Sequence, residues 1–350
     1  MITGLTHSYP PDAVEHRVPD VATARALISS RRPDVFTLLK RRRAIFRGLL
    51  GPGTDHYLDC AENAIVVALA RMGARHGSFG TDFHQYHNEN HALEILDRRI
   101  GEVLERQGVA ALTGGEWLGL ALFATCHDLR QREPMEFRHG VGSNEAASVA
   151  ETHRILDLSG FDRTVDKNLY AALEIMIAGS TFDASPRPKN YNTAEVVATG
   201  GPLAPRLAGA LDQTDPDWRS RPEIGHALRL AQIASDLDTA NVAEPFNDLA
   251  QSSGRLAAER EMRASRSLES PESGPTVLNF LTDGQERYFF ELHRFCSELG
   301  RAVFFEGKER NAPKVHALAD ELRTRFGSKP AGGFTGGEVL STHLELAAMM

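Results

Sequence analysis

The sequence predicts an all-α protein, and three observations support that fold class. Apolar residues recur at intervals of three and four positions along most of the 350-residue chain, which is the spacing of a buried helix face. Runs of alternating polar and apolar residues, typical of half-buried strands, are nowhere convincing. Glycine and proline separate the periodic stretches, as at Gly51-Pro52-Gly53. We therefore expect a bundle of helices joined by turns.

The expected helices follow one another through most of the chain. In order they cover residues 35–50, 61–75, 92–106, 116–126, 145–158, 167–178, 224–240, 285–305 and 315–326. Two stretches, 181–205 and 251–276, are polar and lack the apolar period, so we interpret them as insertions that cover a site opening. The predicted organisation is an N-terminal helical extension (1–57), a main domain (58–326) and a flexible C-terminal tail (327–350).

Composition limits the partners. A net charge of −8 argues against nucleic acid, because phosphate binding requires a concentrated basic surface. The N-terminus does not read as a secretory signal, and no apolar run approaches the roughly 18–20 residues of a membrane span. The three cysteines show no CxxC pairing that would indicate a disulfide framework or a zinc knuckle. We expect a cytoplasmic protein without a membrane partner, and the sequence leaves its oligomeric state open.

Short segments supply the side chains of a metal site. His87 and His91 are four residues apart, so on a helix they share a face. His127-Asp128 follows an apolar helical run, and Asp236 follows another, which carries these polar groups into the interior. A buried carboxylate beside a buried imidazole is costly unless a bound cation compensates it. The series therefore predicts a site for a divalent cation.

These segments resemble those of a known family. Segment 86–92, YHNENHA, is similar to the YHNxxHA segment of class I 3′,5′-cyclic nucleotide phosphodiesterases, and the His-Asp pair resembles that of the wider HD superfamily of metal-dependent phosphohydrolases. The resemblance implies an HD-domain, phosphodiesterase-like helical bundle in which His87 donates a proton to the leaving 3′-oxygen. It implies four metal ligands, namely His91, His127, Asp128 and Asp236.

The resemblance leaves the catalytic carboxylate open between two residues. Segment 148–153, SVAETH, is similar to the SVLENH segment of the family, whose glutamate helps to hold the acid histidine, and this role would fall on Glu151. The run from Asn144 to Ser148 also resembles that of bacterial HD phosphohydrolases, in which Glu145 would be the site carboxylate. We favour Glu151 slightly, as the residue that orients His87.

The sequence differs from that of the family at a position where the family has a histidine near a second metal ion. The family has a histidine four residues after the histidine of the HD pair, and this chain has Gln131 there. His139 begins a segment similar to the family's HPGxSN, displaced by eight residues. We therefore expect one or two divalent ions, which could be Mg²⁺, Mn²⁺, Zn²⁺ or Fe²⁺.

A nucleotide substrate is implied by the same resemblance. The family holds a purine with a glutamine and stacks it on a phenylalanine three residues later. Gln285 with Tyr288 or Phe289 has about that spacing, and aromatic faces stack on bases. We assign these three residues, together with Tyr86, to substrate binding.

The function implied is hydrolysis of cAMP or cGMP to the 5′-monophosphate, by attack of metal-bound hydroxide with His87 as general acid. The alternatives are a nucleotide phosphatase or a dinucleotide phosphodiesterase of the HD type. A di-iron oxygenase would need extra imidazoles from His139, His153 or His226. An inactive HD binding module is the non-enzymatic alternative.

Overall fold

The computed structural model describes residues 1–184, 200–330 and 332–350, and these residues are helical almost throughout. The α-helices are α1 (Ala13–Arg17), α2 (Val21–Arg31), α3 (Asp34–Leu50), α4 (Asp55–Arg75), α5 (Glu89–Leu93), α6 (Ile100–Gln107), α7 (Gly114–Cys126), α8 (Ser143–Ser159), α9 (Lys167–Gly179), α10 (Leu207–Thr214), α11 (Pro222–Asp238), α12 (Phe246–Arg263), α13 (Ser273–Asn279), α14 (Glu298–Phe326) and α15 (Gly336–Ala348). This arrangement confirms the predicted all-α helical bundle.

Shorter elements connect the helices. Turns of π-helix cover Glu94–Arg99, Phe280–Gly284 and Arg287–Leu292, and 3₁₀ turns cover Val109–Ala111, Ala204–Arg206, Pro216–Ser220 and Ala240–Ala243. Two antiparallel pairs join β1 (Phe137–Arg138) to β2 (Val141–Gly142) and β3 (Phe182–Asp183) to β4 (Gly201–Pro202). In the described part of the chain the strands are two residues long and contribute little to the core.

Helices α4, α7 and α9 form the centre of the bundle. Helix α4 packs against α2, α7 and α8, while α9 packs against α7, α8 and α11. Helix α7 is buried on almost every side, as expected for a helix that is apolar all round. A capping box between Thr113 and Glu116 fixes where α7 begins. Since α7 ends in the interior, His127, directly after it, is buried, and the Asp128 side chain is only 13% exposed.

Two predicted elements are wrong. The stretch 251–276, interpreted as an insertion, is instead occupied by most of α12 and the start of α13. The helix expected over residues 285–305 is broken, because the chain leaves the π-turn at Leu292 and restarts at α14, with Ser297 as its N-cap. Of the other predicted insertion, 181–205, residues 185–199 lie outside the described residues.

The C-terminal segment is not the flexible tail that we expected. Helix α15 packs against α12, α13 and α14, and it buries Val339, His343 and Leu346. At the other end, α2 and α3 pack against α4 and α7 and contribute to the same core. The domain boundaries themselves remain predictions. Among the described residues, no helix combines the length and apolar character required to cross a membrane.

Candidate active site

Four side chains bring their ligand atoms together at the ends of three helical segments. Nε2 of His91, in α5, lies 3.0 Å from Oδ1 of Asp238, the last residue of α11. Nε2 of His127, directly after α7, lies 3.3 Å from the same oxygen and 3.2 Å from Oδ2 of Asp128. Oδ2 of Asp128 is also 3.7 Å from Nε2 of His91. His91, His127 and Asp238 therefore form a group that could hold a metal ion, and Asp128 lies against both of its imidazoles.

The surroundings of the cluster fit a cation. Two helices, α7 and α11, end beside it, and helix C-termini carry a partial negative charge. Both ring nitrogens of His127 and Nδ1 of His91 are buried without a hydrogen-bond partner among the described residues. Buried polar atoms without partners are rare, so His127 in particular fits a ligand that is still to be bound.

The protonation equilibria of the cluster point the same way. Burial alone would raise the pKa of Asp238, but His127 and His91 bring it well below its ordinary value. Burial alone would lower the pKa of His127, but Asp128 and Asp238 bring it well above its ordinary value. The raised pKa of His127 reflects the negative charge of the two carboxylates beside it, and the lowered pKa of Asp238 reflects the two imidazoles. A bound divalent cation would supply the positive charge that the imidazolium supplies here.

Asp236, predicted as the ligand from α11, does not face the cluster. It lies two residues before Asp238, so the two side chains leave the helix roughly 200° apart. Its Oδ1 accepts a hydrogen bond from the Cys296 amide at 2.6 Å. Its Oδ2 accepts from the amide and hydroxyl of Ser297, at 2.8 Å and 2.6 Å. Asp236 therefore binds the N-terminus of α14, where a carboxylate is favoured, and the ligand assignment passes to Asp238.

His87 is paired with a carboxylate that the sequence did not reveal. Its Nδ1 lies 2.6 Å from Oε1 of Glu259, in α12, and Oε2 of Glu259 accepts from the amides of Tyr86 and His87 at 2.9 Å each. Burial opposes protonation of His87, but Asp128 and Glu259 raise its pKa above the ordinary value. The His87 ring lies 6.3 Å from the His91 ring, measured between centroids. An imidazole whose protonated form is favoured therefore lies beside the candidate metal centre.

Glu151 does not take the role predicted for it. The structure gives the position beside His87 to Glu259, while Glu151 is fully buried among cations of the interior. It accepts hydrogen bonds from Arg75, at 2.9 Å and 3.2 Å, and lies 3.5 Å from Arg71. Glu151 of α8 is thus hydrogen-bonded to α4 and stabilises the packing of these two helices.

Glu145 is the predicted carboxylate that lies nearer to the centre. It sits in the first turn of α8, where burial, followed by the charge of Asp128, raises its pKa to about 7. Gln131 donates from Nε2 to Oδ1 of Asp128 at 2.7 Å, and Nη2 of Arg263 donates to Oε1 of Gln131 at 3.0 Å. Gln131 is therefore joined to the centre as a hydrogen-bond donor, where the family has a histidine.

A cavity of about 410 Å³ opens next to Gln131, and its walls include Glu145, Arg263 and Phe182. Its volume is within the range of small-molecule sites. The ring of Tyr288 packs on Phe182, with 5.3 Å between centroids, and burial, followed by the charge of Asp238, raises the pKa of Tyr288. Tyr288 thus packs against a residue of the cavity wall and is influenced by the charge of Asp238.

The other residues predicted to bind substrate lie in different parts of the molecule. The ring of Tyr86 lies 4.7 Å from that of His91, so it belongs to the site. Gln285 lines a small cavity beside His343 and Leu318 instead, and Phe289 is core, with Lys308 over its ring. Gln285 and the aromatic residues precede the break at Leu292 and lie in one helical stretch, in which a π-turn covers Arg287–Leu292. Gln285 nevertheless faces a different part of the molecule from Tyr288.

The histidines proposed as extra iron ligands lie elsewhere. His139 is exposed in the turn between β1 and β2, and His226 lies 3.5 Å from Glu116. His153 is buried against Tyr170, with 5.3 Å between ring centroids. None of the three is part of the cluster formed by His91, His127 and Asp238.

Comparison with known proteins finds similarity among solved structures. No family model and no curated protein matches the sequence. Among solved structures, the phosphodiesterase domain of Salpingoeca rosetta rhodopsin phosphodiesterase is similar, with a TM-score of 0.48 and 13% identity, covering 87% of this chain and 89% of that chain. At this TM-score and identity, the similarity assigns neither a family nor an activity to the protein.

Proposed function

We propose that this protein is a metal-dependent phosphodiesterase of the HD type. The observation that carries the proposal is the acid pair His87–Glu259 beside the four ligand atoms of His91, His127 and the two aspartates. Held there, a divalent cation would acidify a bound water and neutralise phosphoryl oxygens. A nucleophile source and a proton donor on opposite sides of one phosphorus are what ester hydrolysis requires.

His87 would protonate the leaving oxygen. Its Nδ1 is held by Glu259, so the other ring nitrogen, Nε2, is the one available to substrate. The side chain is 22% exposed, whereas the ligand histidines are almost fully buried, so a substrate can reach it. The carboxylate of Glu259 stabilises the imidazolium form and fixes the ring orientation.

One cation, rather than two, is what we infer for the reaction. The amide of Gln131 already occupies Oδ1 of Asp128, an oxygen that a second metal would need. Arg263 lies beside Gln131 on the cavity wall and brings a positive charge to the same place. A guanidinium binds phosphate oxygens in bidentate fashion, so Arg263 can take over part of the charge neutralisation.

The substrate that we propose is a 3′,5′-cyclic nucleotide. A cavity of about 410 Å³ offers room for a ligand of that size, and Arg263 stands where its phosphate would approach the centre. Tyr288 and Phe182 present aromatic faces for the base. Because Gln131 favours a single metal, a nucleoside-monophosphate phosphatase is the second candidate.

Hydrolysis assays test the proposal. Purified protein with Mn²⁺ or Mg²⁺ is given cAMP, cGMP, bis(p-nitrophenyl) phosphate and 5′-monophosphates, and Asp128→Ala and the exposed His16→Ala are run in parallel. We expect metal-dependent turnover of a cyclic nucleotide by the wild type and His16→Ala, and a loss of at least about 100-fold in Asp128→Ala. Turnover of monophosphates alone would favour the phosphatase. No turnover of any diester, or full activity in Asp128→Ala, would overturn the phosphodiesterase assignment.

A further inference from the structure

A second cluster of potential ligands lies beside Glu259, and one of its residues, His84, is 3.3 Å from the Glu259 carboxylate. It consists of His76, directly after α4, together with Asp82 and His84 in the loop that leads to α5. One ligand atom from each of the three lies within 4.8 Å of the others. The amide of His84 donates to the carbonyl of His76 at 2.8 Å, so the loop is closed back on the helix end. The residues are thus brought together by the backbone and not only by their side chains.

His76 lacks the partners that a buried histidine normally has. It is 2% exposed, and neither of its ring nitrogens has a hydrogen-bond partner among the described residues. Its ring lies 4.4 Å from that of His84, measured between centroids. A buried imidazole with both nitrogens unpaired costs free energy, which a bound ligand would recover.

The contacts of His84 leave it in the tautomer that a cation needs. Nε of Arg132 donates to Nε2 of His84 at 3.3 Å, so Nε2 carries a lone pair and the proton is on Nδ1. That Nδ1 lies 3.3 Å from Oε1 of Glu259. A metal-binding histidine commonly has a carboxylate next to its other ring nitrogen, and Nδ1 of His84 lies within ion-pair distance of Glu259.

Arg132 now occupies the place of a cation. Besides its contact with His84, its Nη2 donates to Oδ1 of Asp82 at 2.7 Å. The Arg132 side chain is 52% exposed, so it can swing into solvent without disturbing the core. Asp82 is itself 42% exposed, which gives an ion a route to the cluster.

We propose that His76, Asp82 and His84 bind a second divalent cation, and that the ion is Zn²⁺. Two imidazoles and one carboxylate form a donor set that Zn²⁺ accepts, with a fourth position left for water. The C-terminus of α4 adds a partial negative charge beside His76. Since His84 contacts the same oxygen of Glu259 that His87 contacts, the ion would also fix the Glu259 carboxylate; this last consequence rests on the proposed function, whereas the binding itself does not.

The experiment is a count of bound metal on the full-length protein. Each variant is loaded with Zn²⁺, dialysed and analysed for tightly held equivalents, and Zn²⁺ affinity is measured against a competing chelator. We expect two equivalents in the wild type and in His16→Ala, and one in His84→Ala. Asp82→Asn should weaken one site at least about 10-fold. Arg132→Ala should tighten that same site, because it removes the competing guanidinium.

The equivalent held by His91, His127 and Asp238 serves as the folding control. If His84→Ala loses both equivalents, it is misfolded. The Zn²⁺ affinity of Asp82→Asn, a change at a partly exposed side chain, then tests the second site. A wild type with one equivalent that His84→Ala retains, or an unchanged second affinity in both Asp82→Asn and Arg132→Ala, would overturn the proposal. Hydrolysis plays no part in this count, so failure of the phosphodiesterase assignment would be seen separately.

Discussion

The last turn of α11 presents two aspartates to two different regions of the molecule. Asp238 faces His91 and His127, whereas Asp236 faces the first turn of α14. Both are carboxylates on one helix, yet Asp238 lies against two imidazoles of the candidate metal centre and Asp236 meets amide and hydroxyl donors that satisfy it. The role of each aspartate depends on the segment that packs against that side of the helix.

Among the variants described below, removal of the acid His87, on the Asp238 side of α11, should have the largest effect on activity. We expect His87→Ala to lower kcat for a cyclic nucleotide by about 10²–10⁴-fold, because an alkoxide leaving group needs a proton. Bis(p-nitrophenyl) phosphate has a leaving group that departs unprotonated, so its hydrolysis should fall much less. Comparing kcat for the two substrates, with His16→Ala as the control, checks this expectation. An equal fall for both substrates would contradict the role of His87.

Removing the charge of Glu259, the partner of His87, should lower activity less and should shift the pH dependence of the rate. The pKa of His87 is raised by Asp128 and Glu259, and an acid works only while protonated, so activity should fall as pH rises through that pKa. Glu259→Gln removes one of these charges and should move the alkaline limb to lower pH. The loss at neutral pH should stay below the roughly 10²-fold minimum expected for removing the acid itself.

A matched control for this variant lies on the same helix. Glu261 is also buried on α12, but it pairs with Arg266 instead of His87. Glu261→Gln should leave the pH–rate profile where it is. If Glu259→Gln and Glu261→Gln gave the same profile as the wild type, Glu259 would not act on the acid.

Substitution of Asp236, on the other side of α11, should have the smallest effect, and this effect should be on stability alone. Asp236→Ala leaves the Ser297 hydroxyl and two amides of the α14 start without their acceptor. We expect the free energy of unfolding, measured with urea, to fall by about 1–3 kcal/mol. Activity of the folded variant should be retained. Unchanged stability together with lost activity would reverse the roles of the two aspartates.

Much of this site could be predicted because its signals are local. His87, His91 and the His127-Asp128 pair stand in short motifs, and an apolar run as continuous as α7 carries the residues at its end into the interior. The helical fold was predicted for the same reason, since amphipathic spacing is a property of each segment by itself.

The residues that were missed are fixed by packing between distant segments. Glu259 lies 172 positions from His87, in a stretch whose polar residues concealed a helix. The apolar positions Leu249, Ala250 and Ala257 of that helix are the signal that could have revealed it. The choice of Asp238 over Asp236 depends on where α14 begins, which no pattern within α11 specifies.

The most direct test of the metal centre is the metal content of the two aspartate variants of α11. Asp238→Ala and Asp236→Asn are purified under identical loading, and the tightly bound divalent metal of each is compared with that of the wild type. We predict that Asp238→Ala loses one metal equivalent and its diesterase activity. Asp236→Asn should keep that metal equivalent and the activity. Loss of metal in Asp236→Asn with retention in Asp238→Ala would contradict the centre formed by His91, His127 and Asp238.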